Sequence, residues 1–500
     1  MDLSPGAGGL FSEDYRKLLA LAGTVAEASR RRADRVPEKV VQSIWFGGYF
    51  RKRDAFTEDG QQLRVISPGK WNSLEGPDFK GALVQLSGEL THGDVEIHLS
   101  SSDWVRHGHN SDPAYNKVVL HAVVENDVGT PFVKTSEGKE IPQLVLEQLL
   151  DLELSVLSEV VDSEMQPDGA LPTDPMCRHY MRKRWDSWER IGKILDTAGD
   201  ERMLAKAGRL QKAFAEGGID QAAYELIMES LGYSRNKVQF LVLARRTPLR
   251  ELKTLTRPMD QKERAESLMA LFLGVAGLLD VGNDSYFDGL KRRWEEFDGA
   301  FDGRIMSAYE WHFVGARPTN SPIRRIAAAS QFLSANQEDG LLSSLLRKTR
   351  AASSARQSDA SLRKTIKQLE RMFTSLEDHY WSQRLSPRGG ILTKPHRLVG
   401  QQRFRTTFIN AIVPLFLFHA RNTGNVSLER MTHSLFCITG KLAPDRVTRR
   451  VSRLIFGTED EREIIASARR QQGLHQIYRD FCAFGDDGCR SCAVKDALAF

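Results

Sequence analysis

A chain of 500 residues, 41% hydrophobic and 27% charged, has room for more than one domain and the balance of a folded, soluble protein rather than a disordered one. Its net charge of +5 is spread over 70 basic and 65 acidic residues, so total charge neither demands nor excludes a nucleic-acid partner. No apolar run reaches about 18 residues, and the start MDLSPGAGGLFSEDYRKL lacks the features of a signal peptide; these readings imply no membrane span and a cytoplasmic location.

Residues 1–34 read as an N-terminal extension, Gly-rich and then helical into RRRADR. PEKVVQSIWFGGYF comes next, with Pro37 suited to a first helical turn and Val40, Val41, Ile44 and Trp45 on one face. LRVIS, GALVQLSG, GDVEIHL, KVVLHAVVEND and IPQLVLEQL then read as strands, giving a compact α/β unit over 35–150. Beyond it the period becomes helical, in GIDQAAYELIMESLGY, VQFLVLARR, AESLMALFLGVAGLL, SPIRRIAAASQFLSA and IKQLERMFTSLEDHYW, which makes 151–480 mainly helical. Arg347–Lys364 is basic and Ala/Ser-rich, either a linker or a solvated helix. Residues 481–500 form a cysteine-rich tail. The expected class is α+β.

Chemistry concentrates in the strands. Residues two apart on a strand share a face, so Asp94, Glu96 and His98 point one way and Val95, Ile97 and Leu99 the other. The preceding arm returns Asp78 of the Pro77-Asp78 step to the same region. Converging carboxylates repel unless a cation lies between them, and oxygen donors suit Mg²⁺ or Mn²⁺. Five of the twelve histidines fall between His92 and His121. His107, His109, Asp112 and His121 form a candidate additional metal or phosphate site, with His107 and His109 alternating as on an extended segment; the other reading is a hydrogen-bonded loop with polar fillers.

Pro77-Asp78 followed by Glu96-Ile97-His98 resembles the core of the PD-(D/E)XK nucleases. The resemblance implies Asp78 and Glu96 as metal ligands, an assisting acid at Glu38 on the first helix, and His98 in the place of the usual lysine, as a water-orienting group or as a further ligand. Over a longer stretch, SPGKWNSLEGPDF…GDVEIHLSSSDWVRHGHNSDPAYNKVVLHAVVEND, WHFVGARPTNSPIRRIA and INAIVPLFLF resemble a bacterial family of unknown function. The nuclease resemblance implies a metal-dependent nuclease or phosphodiesterase acting on DNA or RNA; the alternative is a non-catalytic nucleic-acid- or protein-binding module on a degenerate nuclease fold.

Two further features bear on partners. Cys482, Cys489 and Cys492 form a C-x6-C-x2-C array, whose fourth ligand is expected at Cys177, with His179 or His475 as substitutes, for Zn²⁺ or a [4Fe-4S] cluster. Cys437 reads as a core residue. Arg317, Arg324 and Arg325, around two prolines before a helix, are candidate phosphate contacts, the alternative being a structural turn.

Overall fold

The computed structural model describes residues 10–12, 14–21, 36–161, 177, 187–297, 299–314, 317–349, 358–457, 464–484, 489 and 492–499. Chain contacts divide it into two units: residues 24–178 with 480–492, and residues 1–23 with 179–479 and 493–500. The first is α+β and the second helical.

In the α+β unit the helix Glu38–Gly47 follows Pro37 and ends on Gly48 in the left-handed region at φ 60°. It buries Val41, Ile44 and Trp45, the expected apolar stripe. Seven strands come after it: β1 (Leu63–Ser67), β2 (Lys70–Trp71), β3 (Phe79–Leu86), β4 (Glu89–Ser100), β5 (Val118–Glu125), β6 (Phe132–Lys134) and β7 (Glu140–Val145). They form one sheet in the order β1-β3-β4-β5-β7-β6, with β2 on β3. β1, β3 and β4 run antiparallel, whereas β4–β5 and β5–β7 are parallel. A parallel connection needs a crossover of about a dozen residues or more. Between β4 and β5 it consists of a single helical turn, Asp103–Arg106, and the 3₁₀ turn Pro113–Tyr115.

Val95, Ile97, Leu120, Ala122 and Leu144 are fully buried on one side of the sheet. The other side is covered as well. Glu96 and His98 are only 5% and 1% exposed. Strand period sets which side chains sit together, but not whether another layer covers them.

In the helical unit the apolar stretches at 268–275 and 408–420 lie in buried helices, the second opening with a π-turn at Phe408–Ile412. Among the described residues no helix is long and apolar enough to cross a membrane. The helix expected through Trp381 ends at Thr374, since Glu377–Trp381 turns back: the Asp378 carboxylate accepts from the Tyr380 and Trp381 amides. The basic run from Asp445 is the amphipathic helix Arg446–Phe456, with Val447, Val451, Leu454 and Ile455 inward. Helix Asp14–Leu21 lies in the first expected segment; RRRADR and most of 347–357 fall outside the described residues.

Candidate metal centre

Register builds the site. Phe79 pairs with Val95, so Asp78 is set beside Glu96; Glu96 pairs with His121, and His121 with Gln143. Partners in register project to the same face. One polar row thus crosses β3, β4, β5 and β7, with His98 two residues along from Glu96. The helix Glu38–Gly47 packs against β4 and supplies Glu38 and Gln42, one turn apart.

The row is tied together by hydrogen bonds. The Asp78 amide donates to Glu96 Oε2 at 2.9 Å, and the Ile97 amide donates to Asp78 Oδ2 at 3.1 Å. Gln42 Nε2 donates to Asp78 Oδ1 at 2.7 Å and to Glu38 Oε1 at 3.3 Å. Burial first, then the Asp78 and Glu96 charges, raise the Glu38 carboxyl to about 8. Burial raises Glu96 to about 8 against the bond from the Asp78 amide, and burial with the nearby Glu96 charge holds Asp78 well above the ordinary range. Three carboxyls therefore converge where ionising all of them calls for positive charge.

The crossover from β4 to β5 brings the histidines. The helical turn Asp103–Arg106 ends with Gly108 at φ 79°, and the Gly108 and His109 amides donate to the Val105 and Trp104 carbonyls. This is a Schellman cap, in which the left-handed residue falls to glycine. His107 and His109 therefore converge from a helix terminus, not from the extended segment their alternation suggests. Trp104 and Tyr115 hold the loop down: Trp104 Nε1 donates to the Lys134 carbonyl, and the His109 ring stacks on Tyr115 at 3.7 Å.

The histidines form a relay with a definite direction. Gln143 Nε2 donates to the Thr130 carbonyl at 2.6 Å, which leaves Gln143 Oε1 as the acceptor facing His121 Nδ1 at 3.0 Å. His121 therefore carries its proton on Nδ1 and presents a lone pair at Nε2, 2.9 Å from His98 Nδ1. His98 Nδ1 must be the donor there, so His98 Nε2 is a lone pair. Burial keeps both rings neutral, lowering His98 to about 2 and His121 to about 3. His98 Nε2 lies 3.1 Å from His107 Nδ1 and 3.5 Å from Glu96 Oε1, and His109 Nε2 is 3.3 Å from that same oxygen. Among the described residues, one group of three or more His, Cys, Asp or Glu has ligand atoms mutually within 4.8 Å: His98, His107 and His109.

Other expected residues lie elsewhere. Asp112 caps the turn Pro113–Tyr115, accepting from the Ala114 amide, and its charge acts on His109. Asp94 accepts from the Gly81 amide, and His92 is exposed on the hairpin. The expected phosphate contacts at Arg324 and Arg325 are corrected by their burial, at 0% and 4% exposure. Arg324 donates to the carbonyls of Trp381, Arg384, His396 and Arg397, and Arg325 to the Leu398 carbonyl and Asn320 Oδ1. Only Arg317 of the three is exposed. Cys177, Cys482, Cys489 and Cys492 belong to the same unit, and the Cys492 amide donates to the Cys489 carbonyl at 3.4 Å. His475 pairs with Asp445 at 2.7 Å in the helical unit, and His179 lies outside the described residues. Cys437 is half-buried, 3.7 Å from His433. Gln42 and Gln143 join the site without any mark in the sequence, because a glutamine carries no signal until register shows what it faces.

No curated protein and no solved structure matches the chain. The family model described as "Protein of unknown function (DUF2851)" matches residues 38–440, most of the chain, and the chain belongs to that family.

Proposed function

We propose that the α+β unit is a metal-dependent phosphodiesterase of nuclease type, with nucleic acid as its substrate class. The carrying observation is the meeting of Asp78, Glu96 and Glu38, each carboxyl pushed up by burial and like charge, on one covered face of the sheet. The order of elements supports the same reading: a helix, antiparallel β1, β3 and β4, a crossover, then parallel β5.

Asp78 and Glu96 are the residues that would hold Mg²⁺ or Mn²⁺, Glu38 adding a third oxygen donor. Such a cation supplies a bound water of lowered pKa and offsets charge on a phosphate. The chain's own groups orient the donors. The Ile97 amide and Gln42 fix the two Asp78 oxygens, and the Asp78 amide fixes Glu96 Oε2, leaving Oε1 turned towards His98 and His109. His98 is assigned here as a donor within the histidine group instead of a free water-orienting base, since its Nδ1 is committed to His121. The cysteines at 177, 482, 489 and 492 are proposed as a separate structural Zn²⁺ or [4Fe-4S] site.

The test is cleavage of DNA, RNA and a chromogenic phosphodiester by the full chain with Mg²⁺ or Mn²⁺. Activity is expected to need the added ion and to fall at least about a hundredfold in Asp78→Asn and Glu96→Gln. Equal cleavage by both variants and wild type overturns the assignment. Binding without cleavage under any of these ions favours the non-catalytic module.

A further inference from the structure

Beyond the oxygen-donor site, we infer that His98, His107 and His109 hold a second ion of a different class, a first-row transition metal such as Zn²⁺, with Glu96 Oε1 flanking it. This second ion does not depend on the hydrolase reading.

Four observations carry it. First, the relay from Gln143 through His121 leaves His98 Nε2 as a lone pair, and it faces His107 Nδ1 at 3.1 Å and Glu96 Oε1 at 3.5 Å. Potential ligand atoms of three side chains thus converge on one point, where a proton or a cation joins them. Second, His109 is only 7% exposed, and its Nε2 has no hydrogen-bond partner although Glu96 Oε1 lies only 3.3 Å away. A buried ring nitrogen left without a partner costs about 1–3 kcal/mol unless something else occupies it. Third, the spacing is near that of an ion's ligands: donors about 2.0–2.1 Å from a tetrahedral centre lie about 3.3–3.4 Å from one another, and here the three histidine nitrogens lie within 4.8 Å of one another, with His98–His107 at 3.1 Å, His109–Glu96 at 3.3 Å and His98–Glu96 at 3.5 Å. Fourth, His98 is oriented from behind. His98 donates its other N–H to His121, which is anchored in turn by a fully buried Gln143.

Donor type sets the metal. Three imidazoles and one carboxylate favour Zn²⁺, Co²⁺ or Fe²⁺ over Mg²⁺ or Ca²⁺. Glu96 offers Oε1 to this group while Oε2 stays with the Asp78 amide, so the two candidate sites share one carboxylate. His107 is exposed and provides an open side to the solvent.

The experiment uses the full chain, stripped of metal and titrated with Co²⁺, read by visible absorption and by metal analysis after dialysis. A nitrogen/oxygen-ligated band is expected that Zn²⁺ displaces and excess Mg²⁺ does not. His107→Ala and His109→Ala should each weaken Co²⁺ binding about tenfold or more. Asp78→Asn should keep the band. His107 lies on the surface, so its variant removes a donor without opening the core; circular dichroism checks that it folds. Thiolate charge-transfer absorption reports the tail cysteines separately. A chain whose only Co²⁺ signal is thiolate, or whose affinity is unchanged in both histidine variants, overturns the inference. A chain that binds Co²⁺ through these histidines yet cleaves no phosphodiester sinks the hydrolase reading alone.

Discussion

Gln143 touches none of the candidate ligand atoms, yet the direction of the relay depends on it. In Gln143→Leu, the Thr130 carbonyl keeps the bond from Asn126 Nδ2, but the buried His121 Nδ1 loses its acceptor. One stranded donor costs about 1–3 kcal/mol of stability. His121 escapes part of that cost by moving its proton to Nε2 and donating to His98 Nδ1, which drives the His98 proton onto Nε2 and blocks the lone pair aimed at Glu96. Loss of such an outer partner typically weakens metal binding about 10–100-fold, or about 1.4–2.7 kcal/mol. Gln143→Glu is the contrasting variant, because a protonated carboxyl can donate to the Thr130 carbonyl and still accept from His121 Nδ1, which preserves the relay. Co²⁺ competition titrations on the full chain, with urea unfolding alongside, separate the two effects. Wild-type affinity in Gln143→Leu, accompanied by the expected loss of stability, would refute the claim that this amide sets the His98 tautomer.

Two predictions concern the helical unit. Arg324→Met removes a guanidinium that four backbone carbonyls share in a fully buried position, and should lower stability by at least about 3 kcal/mol in denaturant titrations, while leaving the salt dependence of any nucleic-acid binding unchanged. His433 faces Asp200 at 3.6 Å and Cys437 at 3.7 Å, with Arg469 also on Asp200. Burial pushes this imidazole down, but the Asp200 and Cys437 interactions outweigh it and raise it to about 9. A raised pKa stabilises the fold fully below the unfolded value of about 6.5, and that contribution disappears as pH rises through about 9; it is at most about 3 kcal/mol. Unfolding midpoints measured from pH 6 to 10 should fall over that window in wild type and flatten in His433→Gln.

Element types are legible from period alone in the α+β unit. The helix from Glu38 follows the helical period and the strand around Ile97 alternates, while Val118–Glu125 and Glu140–Val145 are strand-type runs buried on both faces. The meeting of Asp78 with Glu96 is legible too, since a hairpin of that length returns one to the other. Pattern cannot give the second layer. The alternation of β4 puts Glu96 and His98 on the face opposite Val95 and Ile97 but says nothing of the helix and crossover that cover that face. Arg324 and Arg325 read as surface charge because a guanidinium bound to carbonyls from residues 381–398 is visible only when that distant loop is in place. His107 and His109 resemble strand alternation, because the Gly108 between them signals a helix cap only once Asp103–Arg106 is known to be helical.

The polar row across β3, β4, β5 and β7 also acts as a check on strand alignment. Sliding any one of these strands by a single residue would drive a carboxylate, imidazole or amide among Val95, Ile97 and Leu120, and send an aliphatic side chain into the ring of donors. Misaligned sheets are thereby penalised twice, so faithful pairing and a complete donor set stand or fall together. Substitutions that keep the donor set are accordingly confined to exchanging side chains where they stand, while the backbone alignment stays fixed.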